Sequence, residues 1–430
     1  MTSAASTLFH FFTQSSLPLF EGGVPLWLAR LGMIALCSIL LFLAFPRFRT
    51  ILLLATSLAY CGMILGAKIE VGILLFCLLW FFLLKLSDLF TDPFQKKIMT
   101  GLILVLSSGL YFGLMNLSRW GLKLPRPSVQ DLGICYLYLR VIHVTVDWMQ
   151  GKLGKPGFIR FLVYAFYFPT MMGGPVERYP SFFEGPFFNL ENPWRPLFDR
   201  GMVLRFIGGL FKIWICTHLL SLPYSQLWDH TTTLPYSVLL KIYYLRAITF
   251  YLIVSGINDI ILMFSKLMGV PLAENYDYPY FRKNLAHFWR NWHIALSTIL
   301  RDYIYEPLGG RERHQFLNYL LTFFFCAMWH VTSKAFVLWG LMHGFGMIGL
   351  RVWQDFWSNR ALRLPFFGPS LGRLREFFRS SPRVSLAMSA LVTFHYVALT
   401  WLPFWGGYPQ GAVAILRLLG LHSLIGPILN

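Results

Sequence analysis

Two histidines stand where an imidazole could move a proton. His330 follows the run LLTFFFCAMW, and residues 315–333 contain no Asp, Glu, Lys, Arg or second His. A buried imidazole stays neutral because desolvation disfavours its charged form. A neutral imidazole can accept a hydroxyl proton, as a general base must. A structural histidine bonded to a helix carbonyl fits the same burial. His293 lies in FRKNLAHFWRNWHIALSTILRDYIYEPLGG, residues Phe281–Gly310. Read as one helix, this segment puts Arg290, His293, Ser297 and Arg301 on one stripe. Phe288, Trp292, Ala295 and Ile299 fall on another, so the spacing predicts an amphipathic helix with a histidine on its polar face. An interfacial helix with snorkelling arginines gives the same pattern.

Ionisable or helix-breaking groups inside apolar runs read as functional by default. FPTMMGGPVERY (Phe168–Tyr179) puts Gly-Gly-Pro at membrane depth, where loose backbone must line protein or a cavity. Ser255-Gly256-Ile257-Asn258-Asp259 places an amide and a carboxylate in another apolar run. A kink explains either. His343 reads as a packing group in preference to a second active histidine. His143, beside Arg140 and Asp147, reads as part of a buried polar cluster.

These residues need a membrane scaffold to hold them. The 430 residues are 56% hydrophobic and 13% charged, about half the charge of soluble domains. Charge-free runs recur at 31–46, 50–67, 71–84, 98–118, 213–228 and 384–416. The last is broken at Trp405–Pro409. Less clean runs fall near 130–148, 158–172, 235–265, 315–332 and 335–350. The expectation is an all-α polytopic bundle of about eleven to thirteen helices, some re-entrant. Within this single domain, residues 1–160 supply N-terminal spans and 161–350 a core carrying the motifs. Residues 351–383 form an Arg-rich cytoplasmic loop, and 384–430 the C-terminal spans. Seven arginines in 351–383 against Asp355 and Glu376 set that side. Arg47 and Arg49 mark a second cytoplasmic turn. Residues 173–200, rich in Pro, Phe and Gly, read as an interfacial loop.

The net charge of +18 lies mainly between the apolar runs, so it reads as topology signal and lipid contact. Nucleic acid is not expected. The six cysteines include no Cys-x-x-Cys pair and read as packing thiols, with no metal expected. No Lys or Arg precedes Arg30, so the first apolar span reads as a retained anchor.

Three stretches together resemble the membrane-bound O-acyltransferase (MBOAT) family. They are FYFPTMMGGPVERY, the block from SGINDIILMF through FWRNWH and RDY to PLGG, and MWHVTSKAFVLWGLMHG. They occur in order within residues 166–344. The resemblance implies a ring of helices around a thinned centre, crossed by a central tunnel. It implies that His330, after Trp329, is the catalytic histidine, with His293 near the opposite end of the same channel, orienting the donor or the tetrahedral intermediate. Arg290, Arg301 and Asp302, with Asn258 and Asp259, are then expected to bind donor or substrate. Two positions depart from the family pattern: Val331 where a small residue is common, and Lys334 where an aromatic one is frequent.

The implied reaction moves an acyl group from a cytoplasmic thioester to an extracytoplasmic hydroxyl, at the cytoplasmic membrane. RDYIYEPLGGRER resembles alginate-type polysaccharide O-acetylases. FYFPTMMGGPVERY resembles the D-alanyl transfer protein of teichoic acid modification. The longer block favours acetyl transfer from acetyl-CoA over D-alanyl transfer from an acyl carrier protein. No cofactor is expected to be bound. An extracytoplasmic polymer-modifying partner is expected, since the chain has no large soluble domain to act alone. A transporter or channel with intramembrane histidines is the rival from another class.

Overall fold

In the computed structural model of the chain the described residues are 23–421 and 423. Within that range 66, 117–129, 155, 172, 190–195, 197, 219–229, 331–332, 361–372, 374–375 and 407 are not described. No strand occurs among the described residues, and one isolated β-bridge pairs Tyr276 with Trp292. Among the described residues four helices, at 70–87, 236–267, 334–358 and 382–404, are long and apolar enough to cross a membrane. A fifth span results if the bent pair 30–44 and 46–63 counts as one. Leu75, Phe82, Val105 and Val392 are all more than 60% exposed, as lipid-facing side chains are. The chain is an all-α polytopic membrane protein.

The apolar runs expected at 31–46 and 50–67 form that bent pair, α1 (Gly23–Ala44) and α2 (Arg49–Leu65), which turns through 119°. Pro46 sets the break. It disfavours helical backbone in the residue before it, and Phe45 has φ −133° and ψ 64°. Arg49 was expected as a topology charge. It is instead buried, its Nε donating to the Phe187 carbonyl at 2.5 Å.

The chain divides into two compact units, residues 1–223 with 251–274 and residues 224–250 with 275–430. The first holds α1, α2, α3 (Ala67–Ser87), α4 (Pro93–Asn116), α5 (Gln130–Met149), α6 (Phe158–Ala165), α7 (Tyr179–Phe182) and α8 (Arg200–His218). It also takes the second half of α9 (Tyr236–Leu267). Its core stacks aromatic rings: Trp80 lies 4.3 Å from Phe161, and Tyr60 5.6 Å from Phe168.

The second unit contains the first half of α9, then α10 (Leu285–Trp289), α11 (Ile294–Leu300), α12 (Gln315–His330), α13 (Lys334–Asp355), α14 (Pro382–Gly406) and α15 (Gln410–Leu418). The expected break in the last apolar run falls between α14 and α15. The expected loop from 351 begins as helix, because α13 runs to Asp355 and continues as a π-helical turn, Phe356–Arg360. No breaker interrupts it, and Arg351 pairs with Asp355 at 3.5 Å, one turn on. α12 and α13 pack tightly because Gly340 lies against α12. A Cβ there would stand 2.5 Å from the Phe323 carbonyl oxygen and 2.8 Å from the Ala327 Cβ.

Candidate active site

His330 ends α12 and is partly exposed, although Trp329 beside it is buried. Its Nδ1 lies 2.8 Å from the Cys326 carbonyl oxygen. A carbonyl only accepts, so the proton is on Nδ1 and, in the neutral ring, Nε2 keeps its lone pair. Rings hold the imidazole on several sides. Trp329 is 4.5 Å away, Trp339 5.4 Å, Phe336 5.9 Å and Phe404 6.0 Å between centroids. Val331 lies outside the described residues. Lys334 sits at the start of α13, with its ammonium 5.9 Å from the centre of the Tyr408 ring.

The single amphipathic helix expected over 281–310 does not form. Its place is taken by α10, a sharp turn at His293, α11 and a π-helical turn at Arg301–Tyr305. His293 has φ 45° and ψ 57°, the left-handed region that L-residues avoid in helices. A local clamp holds it there. Asp277 N–H donates to the Asn291 carbonyl at 3.0 Å and Ile294 N–H to the Asn275 carbonyl at 2.9 Å. The Asn275 side chain then accepts from Ala295 N–H at 3.1 Å.

The clamp turns His293 inward as the N-cap of α11, its Nδ1 accepting from Leu296 N–H at 3.4 Å. That places the neutral ring's proton on Nε2. The two histidines thus present opposite tautomers, Nε2 being a hydrogen-bond donor on His293 and an acceptor on His330. Burial, together with the nearness of His330, drives the His293 pKa down to about 3.

His293 and His330 line one cavity of about 40 Å³ with Tyr276, Trp292, Trp339 and Trp401 among its walls. The space admits a few water-sized groups. A neutral base and an N–H donor on one small aromatic cavity can activate a hydroxyl and hold a short carbonyl group. A larger groove of about 850 Å³ in the same unit, beside Gly349, Trp353 and Met388, has no histidine among its described lining residues.

His343 packs, as its sequence context suggested. Its Nδ1 accepts from the Trp289 indole N–H at 3.2 Å, so its Nε2–H donates to Thr400 Oγ1 at 2.9 Å. Both ring nitrogens are engaged, and the ring fastens α10, α13 and α14 together.

Arg290, Arg301 and Asp302 do not line the histidine cavity. Arg290 is exposed. Arg301 and Asp302 are exposed and pair with each other at 2.7 Å, because the π-helical turn points them away from the buried side of α11. Asn258 and Asp259 belong to the other unit. There Asp259 pairs with Lys212 at 2.6 Å and Arg205 at 3.3 Å, while Asn258 is buried.

The Gly-Gly-Pro segment does meet the Asn258 helix. Gly173 and Gly174 have φ 157° and 102°, and a Cβ on Gly174 would stand 3.1 Å from Ile261. His143 lies in the polar cluster its neighbours predicted, 3.1 Å from Asp147 and accepting from Tyr179 N–H at 2.8 Å.

Several wall and support residues carried no sequence signal. Trp401 and Phe404 sat in a long apolar run just before its break at Trp405–Pro409, and Thr400 was one hydroxyl among many. Asn275 lies upstream of the histidine it positions. A buried Asn placed to cap the helix after a left-handed turn is recognisable only once the turn is seen.

Residues 136–369 match the sequence profile of the MBOAT, membrane-bound O-acyltransferase family. Among curated proteins, the chain is 26% identical to a peptidoglycan O-acetyltransferase of Helicobacter pylori, over 62% of this chain and 48% of that protein. It is 27% identical to a protein of Pseudomonas aeruginosa named as a probable alginate O-acetylase, over 64% and 48%. It is 24% identical to a teichoic acid D-alanyltransferase of Bacillus subtilis, over 66% and 70%. The matched part of the chain thus spans about half the length of the first two relatives. With the profile covering more than half of its residues, both histidines included, this chain belongs to the membrane-bound O-acyltransferase family.

Proposed function

We propose that the chain is an O-acyltransferase that moves an acyl group, acetyl in the favoured reading, from a thioester donor on the cytoplasmic side to a hydroxyl on the far side. The observation that carries this reading is the opposite tautomers of His330 and His293 on one cavity. His330 Nε2 takes the proton from the acceptor hydroxyl as its oxygen attacks the thioester carbonyl carbon. The Nε2–H of His293 orients the donor carbonyl and stabilises the tetrahedral intermediate. Collapse expels the thiolate, which takes the proton back from His330. The cavity's size suits a short acyl group. The donor is acetyl-CoA, the site is in the cytoplasmic membrane, and the acceptor is an envelope polysaccharide or an extracytoplasmic partner that delivers the group to it.

A second reading is D-alanyl transfer from a carrier protein to teichoic acid. It is supported by the relative of which this chain matches 70%. The full chain in lipid nanodiscs, given labelled acetyl-CoA or D-alanyl carrier protein with isolated envelope polymers, separates the two. Label from the first donor in an O-ester supports acetyl transfer, and label from the second supports the alternative. Thioester turnover with neither donor removes both, and substrate transport without turnover would support the transporter reading.

A further inference from the structure

Two walls of the histidine cavity carry hydrogen-bond donors that nothing among the described residues uses. Trp339 of α13 and Trp401 of α14 line it and are 1% and 2% exposed. Their rings lie 5.8 Å apart and 23° from parallel, and the Trp339 ring is 5.4 Å from that of His330. Both indole nitrogens are buried, and neither has an acceptor among the described residues. Trp289, which also lines the cavity, differs: its N–H donates to His343.

An indole N–H can only donate. Leaving one buried without an acceptor costs stability, and a native fold rarely does so without a reason. Phenylalanine would supply the same kind of wall without that cost. Two such donors on one cavity, beside a base, fit a group that becomes negatively charged only during reaction.

We propose that Trp339 and Trp401 are oxyanion-binding residues whose indole N–H groups hold the thioester carbonyl oxygen in the tetrahedral intermediate. This rests on the acyl-transfer reading above. In the first step the acceptor oxygen bonds to the carbonyl carbon, its proton passes to His330 Nε2, and the carbonyl π-electrons move onto oxygen. That oxyanion accepts from the two indoles and from His293. In the second step the C=O bond re-forms, the C–S bond breaks, and the thiolate recovers the proton from His330. The donors are fixed by packing, so they need no reorganisation when the charge appears.

The test replaces each indole with a ring that lacks the N–H. Trp339→Phe, Trp401→Phe, the double variant, Trp289→Phe and His330→Ala are made in the full chain in nanodiscs. Free-thiol release from acetyl-CoA and Tm are measured for each. The expected result is a fall in kcat of about 10²-fold at each of Trp339 and Trp401, the size seen when one oxyanion donor is removed. KM stays near the wild-type value and Tm is unchanged or higher. Trp289→Phe lowers Tm, because its N–H has a structural partner.

A double Phe variant with wild-type kcat overturns the inference, even if His330→Ala is inactive and the acyl-transfer reading stands. A lowered Tm in both single variants also overturns it, since the N–H groups would then hold the fold. Full turnover by His330→Ala removes the underlying reading instead.

Discussion

His330 donates its Nδ1 proton to the carbonyl oxygen of Cys326, one turn earlier in the same helix, at 2.8 Å. This bond does what a carboxylate does in a Ser-His-Asp triad: it fixes the tautomer and aims Nε2 outward. A backbone acceptor adds no charge to an apolar helix. The tautomer of the base is therefore fixed within α12, while aromatic rings from α12, α13 and α14 hold the imidazole on several sides.

His330→Ala should lower acyl transfer by about 10²–10⁴-fold, the range for loss of a general base. His330 stacks on its neighbours without pinning helices together, so Tm should move little. Thiol release measured together with thermal unfolding in nanodiscs checks both. A variant with full transfer would remove His330 from the mechanism.

His293 has two jobs that can be separated by substitution. Asn tolerates the left-handed backbone and caps helices well, whereas Ala does neither. His293→Asn should keep Tm close to wild type, and His293→Ala should lose about 1 kcal/mol through the cap alone. Urea unfolding of the two variants makes the comparison. Equal stability would mean that the cap and φ do not matter.

Acid should destabilise the fold through His293. The unfolded imidazole takes a proton below about pH 6.5, while the folded one resists until about 3. Acid therefore favours the unfolded state. The loss begins as pH falls through about 6.5 and levels off near the folded value, at about 1.4 kcal/mol per pH unit for this one group. His293→Asn should flatten the stability-against-pH curve between pH 6 and 4 by one proton. An unchanged slope would contradict the burial of a neutral ring.

Gly340 and Gly349 lie on the same helix and should respond oppositely to alanine. A Cβ on Gly340 meets the Phe323 carbonyl at 2.5 Å, while one on Gly349 meets nothing within 4 Å. Gly340→Ala should force α12 and α13 apart, at about 1–3 kcal/mol, and displace His330 from the Trp339 wall. Gly349→Ala should be neutral or stabilising by up to about 1 kcal/mol. Paired Tm and turnover measurements decide it.

Asp259 is neutralised by Lys212 and Arg205 within its own unit. Asp259→Asn should lower stability by about 1 kcal/mol, since the cations are partly exposed. It should leave KM for acetyl-CoA unchanged. A large rise in KM would restore Asp259 to the donor site.

The sequence by itself determined the solvent and the chemistry. Apolar runs with few charges can only be membrane helices, and a histidine alone in such a run is a neutral base or a structural pin. Motif order placed His330 and His293 in one family pattern. Local spacing could not show that Phe281–Gly310 breaks at His293. Its helical period is intact, and the break depends on hydrogen bonds to Asn275, which accepts, and from Asp277 N–H, 16 to 18 residues upstream. Nor could it sort the charges. Arg290 and Arg301 looked as functional as His330, but only packing reveals which side chains face a shared cavity. Trp339 and Trp401 were two aromatics among many until α13 and α14 brought their rings to the walls of the histidine cavity. Composition and period are properties of the chain, whereas convergence on one point depends on contacts between distant segments.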